Sequence, residues 1–235
     1  MSDVPIGRRI RNKAHDIRHN LSARIFGSAY YEKEWSTKEV ESYYWQSVGH
    51  AHRKLLVETI SKYHPASALE IGCNTAPNLY LLAKNNHDIK LYGLDVSESS
   101  IQEGRKRLAE ASIRNVSLGL GKADDLSGFA DRSFDVVFSD AVLIYVGRDK
   151  IDRVIDEMIR VARKAIILCE WHDPGAPPRG RFLYRKGYWI RDYASLLKNQ
   201  CRASDVRLMK ITRDIWNDDY WSRYGYVIEV PLKDV

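Results

Sequence analysis

Residues 68–77 read Ala68-Leu69-Glu70-Ile71-Gly72-Cys73-Asn74-Thr75-Ala76-Pro77. A short apolar run, Ala68 to Ile71, ends in a turn opened by Gly72. Pro77 stands where a helix begins, a position at which a missing N–H costs nothing because it has no partner inside the helix. The helix then runs from Pro77 to Lys84. Strand, turn and helix thus follow one another in one short stretch.

The same alternation continues on both sides of this unit. Strands are expected at Ile89–Leu94, Val116–Leu120, Phe134–Ser139 and Ala165–Cys169. Ser97 caps a helix that runs through Leu108. Asp149 opens another, whose Ile151, Val154, Ile155, Met158 and Val161 share one face. Alternation at this spacing means a parallel sheet covered by helices on both faces. Before the first strand, a helix is expected to continue from the aromatic stretch 28–46 through Ile60, and toward the end, after an irregular basic stretch, 172–187, a short helix lies near Ile190–Lys198. Two strand-like runs follow, Asp205–Thr212 and Tyr224–Val230, joined by the loop WNDDYWSR, and they should pair antiparallel. The expected fold is α/β, doubly wound, with a seven-stranded, mostly parallel sheet and an antiparallel C-terminal hairpin.

In such a sheet a ligand sits beyond the carboxyl ends of the strands, where the strand order reverses. Asp95 closes the second strand, 23 residues after Gly72. An acid there can accept hydrogen bonds from both hydroxyls of a ribose, so an adenosine-containing cofactor is expected. A dinucleotide would need glycines at the first, third and sixth positions of the turn. Here those positions are Gly72, Asn74 and Pro77. Asn74 tolerates the left-handed backbone that the turn needs, but Pro77 offers no N–H to a pyrophosphate. A turn without a phosphate cradle suits a cofactor without phosphate.

LEIGCNTAPNLYLLA (69–83), LYGLDVSESSIQEGRKRL (91–108) and GKADDLSGFADRSFDVVFSDAVLIYV (121–146) together resemble the four successive motifs of class I S-adenosylmethionine-dependent methyltransferases, over roughly residues 66–170. The resemblance implies S-adenosylmethionine as cofactor and a division into an N-terminal helical segment with an aromatic lid (1–64) and a Rossmann-like methyltransferase domain (65–235). It implies that Glu70 orients the methionyl ammonium. Gly72, Cys73 and Asn74 would lie against the methionyl part, Asp95 would hold the ribose, and Val96 would pack on the adenine. The Ala123 N–H would face the adenine edge, and Asp140 would sit near the methionine moiety. The family usually has an acid where Lys122 stands, and Asp124 or Asp125 is the substitute here. Tyr31, among the lid aromatics Tyr30, Tyr31, Tyr43, Tyr44 and Trp45, would face the sulfonium, which rings attract by cation–π interaction. Arg53 could pair with the cofactor carboxylate.

Methyl transfer needs an acceptor held near the methyl carbon, water excluded, and a base if the acceptor must lose a proton early. His172, after the fifth strand, is the first candidate for that base, because it titrates in the useful range. Tyr145, one turn past the fourth strand, is the second. The basic, aromatic insert RGRFLYRKGYWIRDY (179–193) supplies Arg181, Tyr184, Tyr188 and Trp189 for substrate. These point to a small-molecule acceptor with an anionic group, and to an oxygen of a sugar or acidic metabolite as the methylated atom. An RNA or protein methyltransferase, or a non-catalytic S-adenosylmethionine-binding partner subunit, is the alternative. Nucleic acid is the less favoured partner, although the insert would also suit stacking on single-stranded RNA.

The bulk numbers agree with a soluble globular protein. The 235 residues are 44% hydrophobic and 29% charged, with 6 Trp and 14 Tyr. No apolar run reaches the roughly 18 residues of a membrane helix, and three scattered cysteines give neither a zinc spacing nor a disulfide framework. A cytoplasmic location and no metal are expected. The net charge of +6 is concentrated in two places. Residues 1–26 hold Arg8, Arg9, Arg11, Lys13, Arg18 and Arg24 against Asp3 and Asp16. Residues 175–191 hold Arg179, Arg181, Arg185, Lys186 and Arg191 without an acid. In the first of these, Ile10, Ala14, Ile17, Leu21 and Ile25 form a helical stripe. Packing on the domain or in a homodimer is the expected use of that stripe, ahead of lying on a membrane.

Overall fold

The computed structural model describes residues 17–38, 43–183, 186–201 and 205–232. Five strands form the parallel part of one sheet: β1 (Ser67–Ile71), β2 (Lys90–Asp95), β3 (Val116–Leu120), β4 (Phe134–Asp140) and β5 (Ala162–Trp171). After a small separate hairpin of β6 (Arg181–Leu183) and β7 (Tyr188–Ile190), the chain returns as β8 (Arg207–Lys210) and β9 (Gly225–Pro231). The sheet order is β3-β2-β1-β4-β5-β9-β8. β9 runs antiparallel to β5 and to β8, as expected for the C-terminal pair.

Strands buried on both faces carry apolar residues at successive positions rather than at alternate ones. Val136, Val137 and Phe138, and likewise Ala165 to Cys169, are wholly buried. Their side chains part to the two faces. On one face α4 (Ala51–Ser61), α5 (Pro77–Asn85) and α6 (Glu98–Glu110) cover Ala68, Leu91, Phe138 and Ile167. On the other, α7 (Ile151–Val161) and α8 (Tyr193–Cys201) cover Leu69, Val137, Ile166 and Ile228. The strand order reverses between β1 and β4, so the crevice above their carboxyl ends is the place for a ligand.

Four local expectations are corrected. The stretch from residue 28 through Ile60 is not one helix. It divides into α2 (Ser28–Thr37), α3 (Tyr43–Gln46), a 3-10 turn (Ser47–Gly49) and α4. Gly49 is a poor helix former, and His50 takes an extended backbone, with φ −68 and ψ 137, to cap α4. The stretch 172–187 is not wholly irregular, since β6 pairs with β7 within and just beyond it. The loop WNDDYWSR contains α9 (Asp219–Tyr224), whose N–H groups at Tyr220 and Trp221 donate to the Asp218 side chain. Last, helix α1, described over 17–26, does not pack its apolar stripe on the domain: Ile17, Leu21 and Ile25 face outward. Ile10 and Ala14 lie outside the described residues.

Candidate functional site

The turn after β1 is built from left-handed backbone. Gly72 has φ 70, Asn74 φ 48 and Ala76 φ 63. Only glycine fits at the first of these, because a Cβ there would lie 2.3 Å from Val142 Cγ2. The N–H groups of Gly72 and Cys73 both donate to the Leu94 carbonyl, at 2.7 and 2.9 Å. Asp95 continues the tie: Oδ2 accepts from the Asn74 N–H and Oδ1 from the Ser97 N–H, each at 2.8 Å. The carboxylate thus staples the turns after β1 and β2. Each of its oxygens keeps a lone pair for a ligand hydroxyl. Burial raises the Asp95 carboxyl above its ordinary range, against the pull of these backbone donors.

Below the turn lies a charged floor. Asn78, on α5, donates from Nδ2 to Glu70 Oε1 at 2.7 Å and to Asp140 Oδ2 at 3.0 Å. Two residues of α4 reach the same carboxylate, Arg53 at 2.8 Å and His52 at 3.1 Å. Burial alone would raise Asp140, but the His52 and Arg53 charges overcome it and hold this carboxyl well below the usual range. Glu70 is also buried, and burial pushes its carboxyl well up despite the Asn78 hydrogen bond. Glu70 Oε2 and Asp140 Oδ1 are buried with no hydrogen-bond partner among the described residues. Two such oxygens, on carboxylates joined through Asn78, ask for an external donor.

Rings form the walls. Tyr145 lies 5.1 Å from Tyr31 and 5.0 Å from Tyr188, centroid to centroid. Trp171 adjoins Tyr188 at 5.4 Å. Trp216 stacks on Trp221 at 4.1 Å and on His52 at 4.0 Å. The His50 and His52 rings touch, with their Nδ1 atoms 2.5 Å apart. At the rim, Glu32 of α2 pairs with Lys122 at 2.9 Å and with Lys150, which also pairs with Asp124 at 3.0 Å. Lys122 therefore has a counter-charge from the N-terminal segment where an acid was expected in its own loop.

All these groups line one cavity of about 370 Å³. It brings together Tyr31, Glu70, Gly72, Cys73, Asn74, Asp95, Val96, Ala123, Asp124 and Asp140 with Tyr145 and Tyr188. Three expected site residues stand elsewhere. His172 does not line the cavity, because successive residues along β5 point to opposite faces and Trp171 takes the cavity side. The His172 ring is buried, accepts at Nδ1 from the Tyr193 N–H at 3.1 Å and packs edge-on against Tyr226. Arg181 is exposed and pairs with Asp173 at 2.8 Å. Trp189 is buried against Phe182 and Arg148, away from the cavity. Tyr184 lies outside the described residues, as do the side chains of the lid residues Tyr43 and Tyr44.

A methyltransferase-domain family model matches residues 68–165. Residues 68–165 are a class I, S-adenosylmethionine-dependent methyltransferase domain. A demethylmenaquinone methyltransferase from Alkalihalophilus pseudofirmus is 33% identical over 115 residues, 47% of this chain and 47% of its own. The curated relatives are matched over 36% to 53% of their own lengths, so this chain spans about a third to a half of each. Among solved structures the cyclase SpnF has TM-score 0.63 at 17% identity, covering 78% of this chain and 81% of its own. A geranyl diphosphate methyltransferase in complex with GPP and sinefungin also has TM-score 0.63, at 15% identity over 77% and 76%. Likeness at these identities bears on the fold alone, and it agrees with the strand order.

The methyltransferase domain contributes only part of the cavity. His50, His52 and Arg53 come from before it, and Trp171, Trp216, Asp218 and Trp221 from after it. Sequence reading passed over His52, Trp216 and Trp221. The signals present are the cluster His50-Ala51-His52-Arg53 and the aromatic density of WNDDYW, which is unusual for a bare hairpin loop.

Proposed function

We propose that this protein transfers a methyl group from S-adenosylmethionine to a small, planar acceptor oxygen held between the aromatic walls. The observation that carries this reading is one cavity joining two halves. One half has the Gly72 turn, Asp95, Ala123 and the two unpartnered carboxylate oxygens, and the other is walled by rings. Those oxygens fit the ammonium of the cofactor's methionyl end, and Asp95 fits its ribose. Arg53 already spends its guanidinium on Asp140, Asn78 and Ser47, so it supports the cofactor by fixing Asp140.

The acceptor reading is narrower than the charged insert alone suggested. Arg181 does not reach the cavity, and Lys122, Lys150 and Arg53 are paired within it. Tyr145, Trp171, Tyr188, Trp216 and Trp221 offer stacking surface instead. A hydroxylated ring fits that surface better than a bare anionic sugar.

S-adenosylmethionine supplies a methyl carbon made electrophilic by the sulfonium. The protein aligns the acceptor and keeps water out. With His172 away from the cavity, the base in this reading is His50. Burial lowers its pKa, and the neighbouring Arg53 charge adds to that, which favours the neutral imidazole. In the tautomer that serves this role, His50 Nδ1–H donates to His52 Nδ1 and His52 Nε2–H donates to Asp140, which leaves His50 Nε2 free to take the hydroxyl proton. Incubation with S-adenosylmethionine and a panel of phenols, hydroquinones and sugars tests the proposal. Methylated phenol and stoichiometric S-adenosylhomocysteine are expected, and methylation of sugars alone would overturn the acceptor class.

A further inference from the structure

Four of the six large apolar side chains exposed among the described residues lie on helix α1. On α1, Ile17 is 48% exposed, Leu21 50%, Ile25 63% and Phe26 62%. Ile17, Leu21 and Ile25 follow one another at intervals of four, so they form a single ridge. Arg24 and Arg18, both exposed, flank that ridge on its two sides. Phe26 stands apart from the ridge at the end of the helix, and the rest of the opposite face packs on the protein: Asn20 and Ala23 are buried, and the His19 ring packs edge-on against Tyr30 and Tyr31. The ridge therefore points away from the described residues, none of which covers it.

We propose that α1 is a docking element for an anionic membrane surface. An interfacial helix carries an apolar face with basic residues beside it, and it lies in the plane of the headgroups. Ile17, Leu21 and Ile25 would enter the acyl boundary while Arg18 and Arg24 meet lipid phosphates. Residues 1–16 add Arg8, Arg9, Arg11 and Lys13 against only Asp3 and Asp16 in the sequence, which extends the complementarity to negative charge. A second copy fits this ridge less well. Two ridges facing each other about a two-fold axis would bring arginine against arginine with no matching acid on the helix face. Because His19 touches Tyr31, a cavity-lining residue, docking holds that wall of the cavity close to the bilayer.

The inference rests on α1 and is independent of the methyl-transfer reading, so it is tested without turnover. Full-length protein is sedimented with vesicles of phosphatidylcholine alone, and of phosphatidylcholine and phosphatidylglycerol in equal parts. Binding is expected to the mixed vesicles only and to weaken with salt. The variant Leu21→Glu/Ile25→Glu, on exposed positions and with an unchanged melting temperature, should abolish it. Arg18→Gln/Arg24→Gln should weaken it by roughly tenfold or more. Absence of binding by the wild type, or binding that survives Leu21→Glu/Ile25→Glu, would overturn the proposal. So would a wild-type dimer by light scattering that the same variant dissociates, which would assign the ridge to a second copy.

Discussion

Glu70 and Asp140 are adjacent acids with opposite tendencies, and the difference comes from their neighbours. Asp140 faces His52 and Arg53, whereas Glu70 has only the neutral amide of Asn78. With its pKa raised, Glu70 holds a proton in the free protein at a pH where an ordinary glutamate has lost it. A bound ammonium favours the ionised form and expels that proton. Cofactor affinity should therefore rise with pH until Glu70 ionises unaided, and Glu70→Gln should remove the slope. Calorimetry in buffers of different ionisation enthalpy counts the released proton, and equal heats in every buffer would contradict this. His50→Gln should lower turnover by about 10²- to 10⁴-fold, the range of general-base effects, with cofactor affinity unchanged. At this scale the sequence was informative where backbone sets the role. Gly72, Asn74 and Asp95 act through φ or through backbone donors, and both are tied to position in the motif. His172 was misplaced by one residue of strand alternation, which periodicity past a strand's end does not resolve.

The turn after β4 is held from two directions. Glu170 accepts from the N–H groups of Val142 and Leu143 at 3.0 Å and of Ile144 at 3.2 Å, and from Ser139 Oγ at 2.9 Å. Arg191, fully buried, donates to the Leu143 carbonyl at 2.7 Å and also to that of Val146. These contacts fix the segment that carries Tyr145 into the cavity and sets Val142 against Gly72. Arg191→Met leaves two buried carbonyls without their donor and should cost about 2–4 kcal/mol, read as a lower denaturation midpoint. Gly72→Ala should disturb the same junction from the other side and weaken cofactor binding along with stability. The strands and helices of the sheet were legible because their apolar runs and caps are local. The breaks at Ser47–Gly49, the β6–β7 hairpin and α9 were not, since each depends on partners far along the chain. The small hairpin shows this plainly: its glycine Gly187 accepts from Tyr31, on a helix at the other end of the sequence.

Over the whole molecule, the buried Glu170 makes stability depend on pH. Burial lifts its pKa from 4.5 to about 7, against three backbone donors. The folded state then retains a proton that the unfolded chain releases, so this group's contribution falls as pH rises from the unfolded value to about 7. The full effect is up to about 3 kcal/mol. Urea midpoints across that window should decline, and a flat or rising profile would mean that other groups outweigh Glu170. The architecture joins a sheet whose switch point holds Asp95 to flanking segments that close the cavity with histidines and rings. No described helix is long and apolar enough to cross a membrane, and α1 engages a bilayer only from its surface. The central claim is that the crevice at Gly72 and Asp95 binds S-adenosylmethionine. Calorimetric titration of wild type and Asp95→Ala with S-adenosylmethionine and S-adenosylhomocysteine tests it most directly. Saturable binding of both ligands to the wild type, lost in Asp95→Ala with the fold intact, is the predicted result. Binding unaffected by Asp95→Ala, or no binding of either ligand to the wild type, would contradict it.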